Sequence, residues 1–343
     1  MDLIYNGQSY LFLIIFVMLI AGMIKDNNLF IDLFSYLKNN IKSNRGVVTL
    51  FSALSGILPI TGRVTVSAGL LDTIAPKDKN KRSKFGPIDF LSTHHYYFWS
   101  PLEKTVILPM AAFSLTYANF IAILWPLLLV SFLYLTWYLF FIIKENDISI
   151  KQSVKPIKIS RITRYVFPYI LGITGIISGL NFICVFGLLS LYYMIVTQTF
   201  DYKKLLGYVD WKIVIWVASI IIAANYTTKY TSDIKDLIST IGIDITSNVG
   251  FIAISILAFF SSFALGSSSR FGAITVILTS LYGLEYLIWF FAVDFAGYIL
   301  SPMHKCVAIG KMYFGTKLSY YVKLISGWAL LLVLTAGILL NIR

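Results

Sequence analysis

Long apolar runs separated by short polar segments extend along the whole chain. Uncharged runs cover 10–24, 120–143, 166–196 and 213–224. A helix needs about 20 apolar residues to cross a hydrocarbon core of about 30 Å, so the pattern predicts an all-α polytopic membrane protein with about eight spanning helices.

The polar positions of the first part of the chain recur in its second part. The segment 32–46 recurs as 236–250, with the Asp, Leu, Ser, Ser, Asn and Gly positions identical in one register. The segment 100–106, which begins with Ser-Pro, recurs as 301–307. These matches predict that the chain contains an internal repeat.

We call residues 1–143 the first half and residues 209–343 the second half. The segment 144–208 is predicted to join them as a cytoplasmic loop and two linking helices. The first half and the linking helices together make an odd number of crossings, so the second half is expected to be inserted upside down. Inverted repeats of this kind are typical of secondary carriers.

Each half is predicted to contain two interrupted elements besides its spanning helices. The first is a re-entrant hairpin, at 46–76 and 248–283, because its apolar arms of about 13 residues are too short to cross alone. The second is a broken helix, at 87–117 and 284–316, which is interrupted at Ser-Pro.

Composition and charge support a membrane location. Hydrophobic residues make up 58% of the chain and charged residues 13%, whereas soluble proteins have about 25% charged residues. The formal charge of +12 lies mostly in loops on one side of the predicted topology. By the positive-inside rule, these loops lie in the cytoplasm and both termini lie on the external side of the cell (inner) membrane. The same distribution argues against a nucleic-acid partner.

Helix ends and cations near the interruptions predict a site for an anion. Serine is favoured at a helix N-cap and proline at the first helical position, so a new helix is expected to begin at each Ser-Pro break. Helix N-termini inside a membrane attract anions. The hairpin tips add glycine, small hydroxyl residues and arginines. The predicted substrate site comprises Thr61, Gly62, Arg63, Ser100, Pro101, Lys104, Ser267, Ser268, Ser269, Arg270, Ser301, Pro302, His304 and Lys305.

Plainer explanations exist for the same residues. A single Ser-Pro break is most simply a helix kink, and a lysine near a membrane can extend its side chain to the interface. We favour a site because the break occurs twice at equivalent positions. Adjacent His94 and His95 do not share a helix face, so we assign them to an aromatic belt at the membrane edge rather than to a metal.

Two carboxylates are candidates for ion coupling. Glu103 is expected to complete a capping box with Ser100, which already explains its presence. Asp294 lies in an apolar stretch and is the better candidate, because a buried charge in a membrane is costly. The expected coupling ion is Na+ or H+, and no cofactor is expected.

Two segments resemble a known family. The segments 295–306, with Ser-Pro-Met-His, and 56–62, with Leu-Pro-Ile-Thr-Gly, resemble the prokaryotic membrane family called domain of unknown function 401. That family is grouped with the ion-transporter superfamily of citrate, dicarboxylate and gluconate carriers. The resemblance implies a homodimer that moves substrate by an elevator mechanism, with the hairpins and broken helices around the substrate. The chain departs from the family at Arg63, where a small residue is expected.

We therefore expect a secondary transporter that carries a small anionic organic solute across the lipid bilayer. A channel or a non-transporting receptor on the same fold is an alternative. An intramembrane enzyme would have to use Cys306 and His304, which are two residues apart and should point in different directions on a helix. No nucleotide-binding loop or hydrolase motif occurs, so an enzyme is not expected.

Overall fold

The computed structural model describes residues 2–27, 36, 39–41, 43–57, 63–101, 103–144, 147–148, 159–240, 244–245, 247–266 and 268–342. Every regular element in these residues is helical, and none is a strand. Four of the described helices are long and apolar enough to cross a membrane, and a bent pair gives a fifth if it counts as one span. The part of the chain that the structure describes is thus all-helical, which is consistent with a multi-pass membrane protein.

The described helices of the first half and of the linking segment run from α1 to α10. The first half contains α1 (Asp2–Asp26), α2 (Asn44–Ile57), α3 (Arg63–Asp72), α4 (Lys79–Arg82), α5 (Phe85–His94), a 3-10 turn (His95–Phe98), α6 (Lys104–Ala112), α7 (Tyr117–Trp137) and a π-helical extension (Tyr138–Ile142). The linking segment contains α8 (Ile159–Ile177), α9 (Phe182–Thr197) and α10 (Tyr202–Tyr208).

The second half contains α11 (Trp211–Lys229), α12 (Thr231–Thr240), α13 (Asn248–Leu265), α14 (Ser268–Tyr282), a 3-10 turn (Leu284–Tyr286), α15 (Leu287–Leu300), α16 (Lys305–Phe314) and α17 (Leu318–Ile342). The four described helices that are long and apolar enough to cross a membrane are α7 with its extension, α11, α13 and α17. The bent pair is α15 with α16.

Polar side chains fix where several of these helices begin. The Thr116 hydroxyl accepts a hydrogen bond from Asn119 N at the start of α7. The Asn181 side chain accepts from Ile183 N and Cys184 N at the start of α9. Each cap satisfies backbone N–H groups that have no partner inside the helix.

The second hairpin differs from the prediction in the length of its first arm. The α13 helix has 18 residues and is long enough to cross alone, so the expected arm of about 13 residues is wrong here. The helix ends at Gly266, where φ is +55°. A left-handed φ favours glycine as a helix terminator.

The two halves are joined by reciprocal packing of their broken helices. The α6 helix packs against α14 of the second half, and α16 packs against α3 and α5 of the first half. A Cβ added to Gly272 of α14 would lie 3.2 Å from a methyl carbon of Leu108 and 3.3 Å from that of Thr105. The second segment of each broken helix is therefore buried against the opposite half.

Candidate functional site

Both broken helices are interrupted by a short turn at Ser-Pro. Glu103 N donates to Ser100 O at 3.0 Å, and His304 N donates to Ser301 O at 3.1 Å. The α15 and α16 segments on either side of the second turn are bent by 42°. The same turn therefore interrupts both helices.

The helices that follow the turns begin three residues later than expected. The N-cap residues are Glu103 and His304, not Ser100 and Ser301. The predicted capping box is therefore wrong, because the serine carbonyl closes a turn before the helix starts. The Ser301 hydroxyl instead accepts from Met303 N at 3.1 Å within the turn.

A lysine is the first residue of each new helix. Lys104 begins α6 and is half-buried, whereas Lys305 begins α16 and is exposed. The serines and Pro101 are buried, and Pro302 is exposed. The two predicted cations thus occupy equivalent positions with different access to solvent or lipid.

The predicted hairpin tips are described only in part. Thr61, Gly62 and Ser267 lie outside the described residues. For Arg63 at the start of α3 only the backbone is described, and the same holds for Ser268, Ser269 and Arg270 in the first turn of α14.

The backbone at the second tip nevertheless lies against the second break. A Cβ added to Gly266 would come within 2.7 Å of the Ser301 hydroxyl and 2.9 Å of Met303 Cβ. The end of α13 and the turn before α16 are therefore in direct contact.

Asp294 is held by three donors from two other helices. The Ser262 hydroxyl of α13 donates to Oδ1. Thr275 of α14 donates to Oδ2 through its backbone N at 2.9 Å and its hydroxyl at 2.7 Å. The carboxyl group is fully buried. A buried carboxyl group held by hydroxyl and backbone N–H donors is the chemistry of a proton or cation site.

The first half also buries a carboxyl group on the helix that precedes its Ser-Pro break, and this residue was not among the predicted site residues. Asp89 lies on α5, the first segment of the first broken helix, and is 1% exposed. The Ser67 hydroxyl of α3 lies beside it, as Thr275 of α14 lies beside Asp294. In the register of the Ser-Pro repeat, Asp89 aligns with Phe290, about one helical turn from Asp294. Its position in the apolar run of α5 was the available signal.

The aromatic residues before the first break are not at a membrane edge. His94, His95, Tyr96 and Tyr97 are all less than 5% exposed, so their assignment to an aromatic belt is wrong. His94 is buried where α16 of the second half packs over α5, and the other three lie in the 3-10 turn, which packs against α7. The Nε2 atoms of His94 and His304 are 2.9 Å apart.

Further pairs connect the halves at this point. The Tyr97 and Tyr298 hydroxyls are 2.8 Å apart, and Cys306 approaches both histidines, so that the two Nε2 atoms and the thiol sulfur lie within 4.8 Å of one another. The expectation that His304 and Cys306 point apart is thus wrong, because His304 precedes the helix as its cap and does not follow helical geometry.

An apolar groove lies near the breaks but does not suit an anion. It has a volume of about 480 Å³ and lies between α13, α15 and α17, where Phe259, Trp289 and Val333 line it. Apolar walls offer a small organic anion no partner for its charge.

Comparison with known proteins gives one match. The family model for "Protein of unknown function (DUF401)" matches residues 3–342. No curated protein matches the chain.

Proposed function

Since the chain belongs to the family of proteins of unknown function called DUF401, its function must be argued from its own residues, and we propose that it is a secondary transporter of a small organic anion. The ion-transporter superfamily to which the sequence analysis assigned the chain is part of this proposal. An ion gradient drives the transport.

The observation that carries the proposal is the lysine at the start of α6 and of α16. A helix N-terminus carries roughly half a positive charge, so a lysine there is unfavourable by about 0.3–1 kcal/mol unless an anion lies nearby. Both lysines follow a turn that interrupts an otherwise apolar helix. Two such N-termini, each with a lysine, suit a carboxylate or a similar anion.

The packing of the broken helices supports a mechanism in which the halves cooperate. Since α6 packs on α14 and α16 packs on α3 and α5, these segments form one body that carries both N-termini. We propose that the halves are inverted repeats and that this body moves in an elevator-like manner against the remaining helices of a homodimer. In this arrangement the basic loops face the cytoplasm and both termini face outward.

Asp294 is the proposed coupling residue. Its carboxyl group lies where α13, α14 and α15 meet, on the helix that ends at the second break. Binding and release of H+ or Na+ there changes the charge next to the hairpin, which links the gradient to movement of the site.

Uptake into proteoliposomes tests the function. A panel of labelled mono-, di- and tricarboxylates is offered with an imposed Na+ or pH gradient. We expect accumulation of one class of carboxylate above its equilibrium level. Lys104→Met and Lys305→Met should each reduce uptake at least about tenfold, since each removes a charge that contributes about 1.4 kcal/mol or more to binding. Lys317→Met is the matched control, because this exposed lysine lies between α16 and α17.

The alternative functions give different outcomes in the same assay. A channel dissipates the solute gradient without accumulation, and an enzyme returns a chemically altered solute. A receptor binds solute without any flux. Accumulation that is unchanged in both lysine variants would remove the helix N-termini from the site.

A further inference from the structure

Three side chains with metal-binding atoms meet where the two halves join. His94 is the last residue of α5, His304 caps α16, and Cys306 lies in the first turn of α16. Their two Nε2 atoms and the Cys306 sulfur lie within 4.8 Å of one another. Both histidines are buried and the cysteine is half-buried. One ligand thus comes from the first half and two from the second.

The hydrogen bonds of the two rings determine which nitrogen atoms are available. His94 Nδ1 is 2.6 Å from the carbonyl oxygen of Phe90, and His304 Nδ1 is 3.1 Å from that of Tyr298. A carbonyl only accepts, so each Nδ1 carries the proton and donates. Each neutral ring therefore directs the lone pair of its Nε2 towards the other ring. Two lone pairs 2.9 Å apart repel each other, and a bound cation would remove that repulsion.

The surroundings of the two rings are those of metal ligands. A metal-binding histidine almost always donates its second ring N–H to a carbonyl or carboxylate, which fixes the ring and its tautomer. Here the rings are also held by aromatic packing, with ring centres 3.9 Å apart for His94 and Phe90 and 4.3 Å apart for His304 and Tyr298. The ligand atoms are therefore oriented in advance.

The third ligand distinguishes a metal from a shared proton. A proton between the two nitrogens would not involve Cys306, whereas a zinc-class ion binds thiolate and imidazole together. Two nitrogens on a tetrahedral zinc are about 3.3 Å apart, given bonds of about 2.0–2.1 Å. The rings need to separate by less than about half an ångström, and the thiolate would offset half of the charge of a dication.

We propose that His94, His304 and Cys306 bind one divalent transition-metal ion, with Zn2+ as the reference ion. The ion connects α5 of the first half to α16 of the second half. A solvent molecule or a further protein atom completes its coordination. This site does not depend on the proposed transport function or on the identity of the transported solute.

Metal binding by the purified full-length protein tests the proposal. Protein in detergent and reductant is stripped with a chelator, and Zn2+ is then titrated in competition with a chromophoric chelator. We expect one Zn2+ per chain, with affinity lowered at least about 100-fold in His94→Gln and in His304→Gln. Substitution by Co2+ should give a thiolate-to-cobalt absorption band that Cys306→Ser abolishes.

The chain supplies a matched control for each ligand type. His95 is equally buried, but its Nδ1 accepts the indole N–H of Trp99 at 2.9 Å, so His95→Gln should keep wild-type affinity. Cys184 is exposed on α9, and Cys184→Ser should keep the cobalt band. His94→Cys and His304→Cys restore a ligand and should regain most of the affinity lost in the glutamine variants, which separates ligand loss from misfolding.

Three results would overturn the proposal. One is a stripped wild-type protein that binds less than one Zn2+ per two chains at micromolar metal. A second is wild-type affinity in His94→Gln and His304→Gln. Loss of affinity in the glutamine variants without recovery in the cysteine variants would also contradict it, because the effect would then come from the fold.

Discussion

Gly297 marks a close approach of α15 to α13, and its replacement by alanine provides a direct test of the packing. A Cβ at this position would lie 2.2 Å from the carbonyl oxygen of Phe259 and 3.0 Å from its carbonyl carbon. Atoms at optimal contact are about 3.5–4.0 Å apart, so the overlap exceeds about 1 Å. The obstacle is helix backbone, which cannot rotate away as a side chain can. The two helices must therefore separate.

The cost of that separation can be put at about 1–3 kcal/mol, the usual range for overpacking in a well-packed core. A change of 1 kcal/mol shifts the unfolding temperature of domains of 150–250 residues by about 2–4 °C, so Gly297→Ala should lower it by several degrees. Trp289 and Trp328 lie in and against α15, so tryptophan fluorescence during heating in detergent reports the transition.

Gly69→Ala is the matched control for this substitution. A Cβ at Gly69 in α3 meets nothing within 4 Å, and alanine in a helix is more favourable than glycine by about 0.5–1 kcal/mol. The control should therefore be unchanged or slightly stabilised. An unfolding temperature for Gly297→Ala equal to or above that of Gly69→Ala would refute the close approach of α13 and α15.

Three further predictions concern charged residues. Asp294→Asn should fold like the wild type, because its amide oxygen can accept from Thr275 and its amide NH2 can donate to the Ser262 hydroxyl, which rotates to accept. Gradient-driven uptake should nevertheless be lost. Asp294→Leu should lower the unfolding free energy by about 1–3 kcal/mol, since it leaves buried donors without a partner. Burial raises the pKa of the Asp147 carboxyl, but hydrogen bonds from Lys84 and Lys144 lower it below its usual value overall. Its stabilisation is therefore present above about pH 3.9 and lost as pH falls further; Asp147→Asn should lower stability at pH 7 and flatten the acid limb of a stability-versus-pH curve. Finally, Lys79→Cys in a cysteine-free background should react with an impermeant maleimide only from the cytoplasmic side.

Each of these predictions has an outcome that contradicts it. Unchanged uptake in Asp294→Asn would leave that residue a structural role only. A stability curve for Asp147→Asn that is parallel to that of the wild type would mean that the Lys84 contact does not form in solution. Labelling of Lys79→Cys from outside intact cells would reverse the proposed orientation.

The elements that depend on local sequence were predictable. The uncharged run at 120–143 corresponds to α7 with its extension within three residues, because a long uncharged stretch forms a helix in a membrane. The Gly-Leu-Asn segment at 179–181 separates α8 from α9 because glycine takes a left-handed φ of +91° there and Asn181 caps the next helix. Such signals lie within a few residues of the feature they determine.

The contacts between distant residues were not predictable in this way. His94 and His304 are 210 residues apart, and the sequence around His94 suggested only a pair of adjacent histidines with no third ligand. The predicted first residues of α6 and α16 were wrong for a related reason, since a Ser-Pro pair is compatible either with a helix start or with a turn that precedes one. Inversion of the halves, the hairpins and the orientation stay predictions, because they depend on the membrane as well as on the chain.

Because α6 packs against the second half and α16 packs against the first, the fold can be completed only after the second half has been synthesised. The surfaces of α3 and α5 that α16 covers are made early, and their partner emerges roughly 200 residues later. At about 5–20 residues per second, this interval lasts about 10–40 s. Until then the first half lacks the surface that covers it, so a chain that stops growing between the halves would leave His94 without its contact to His304.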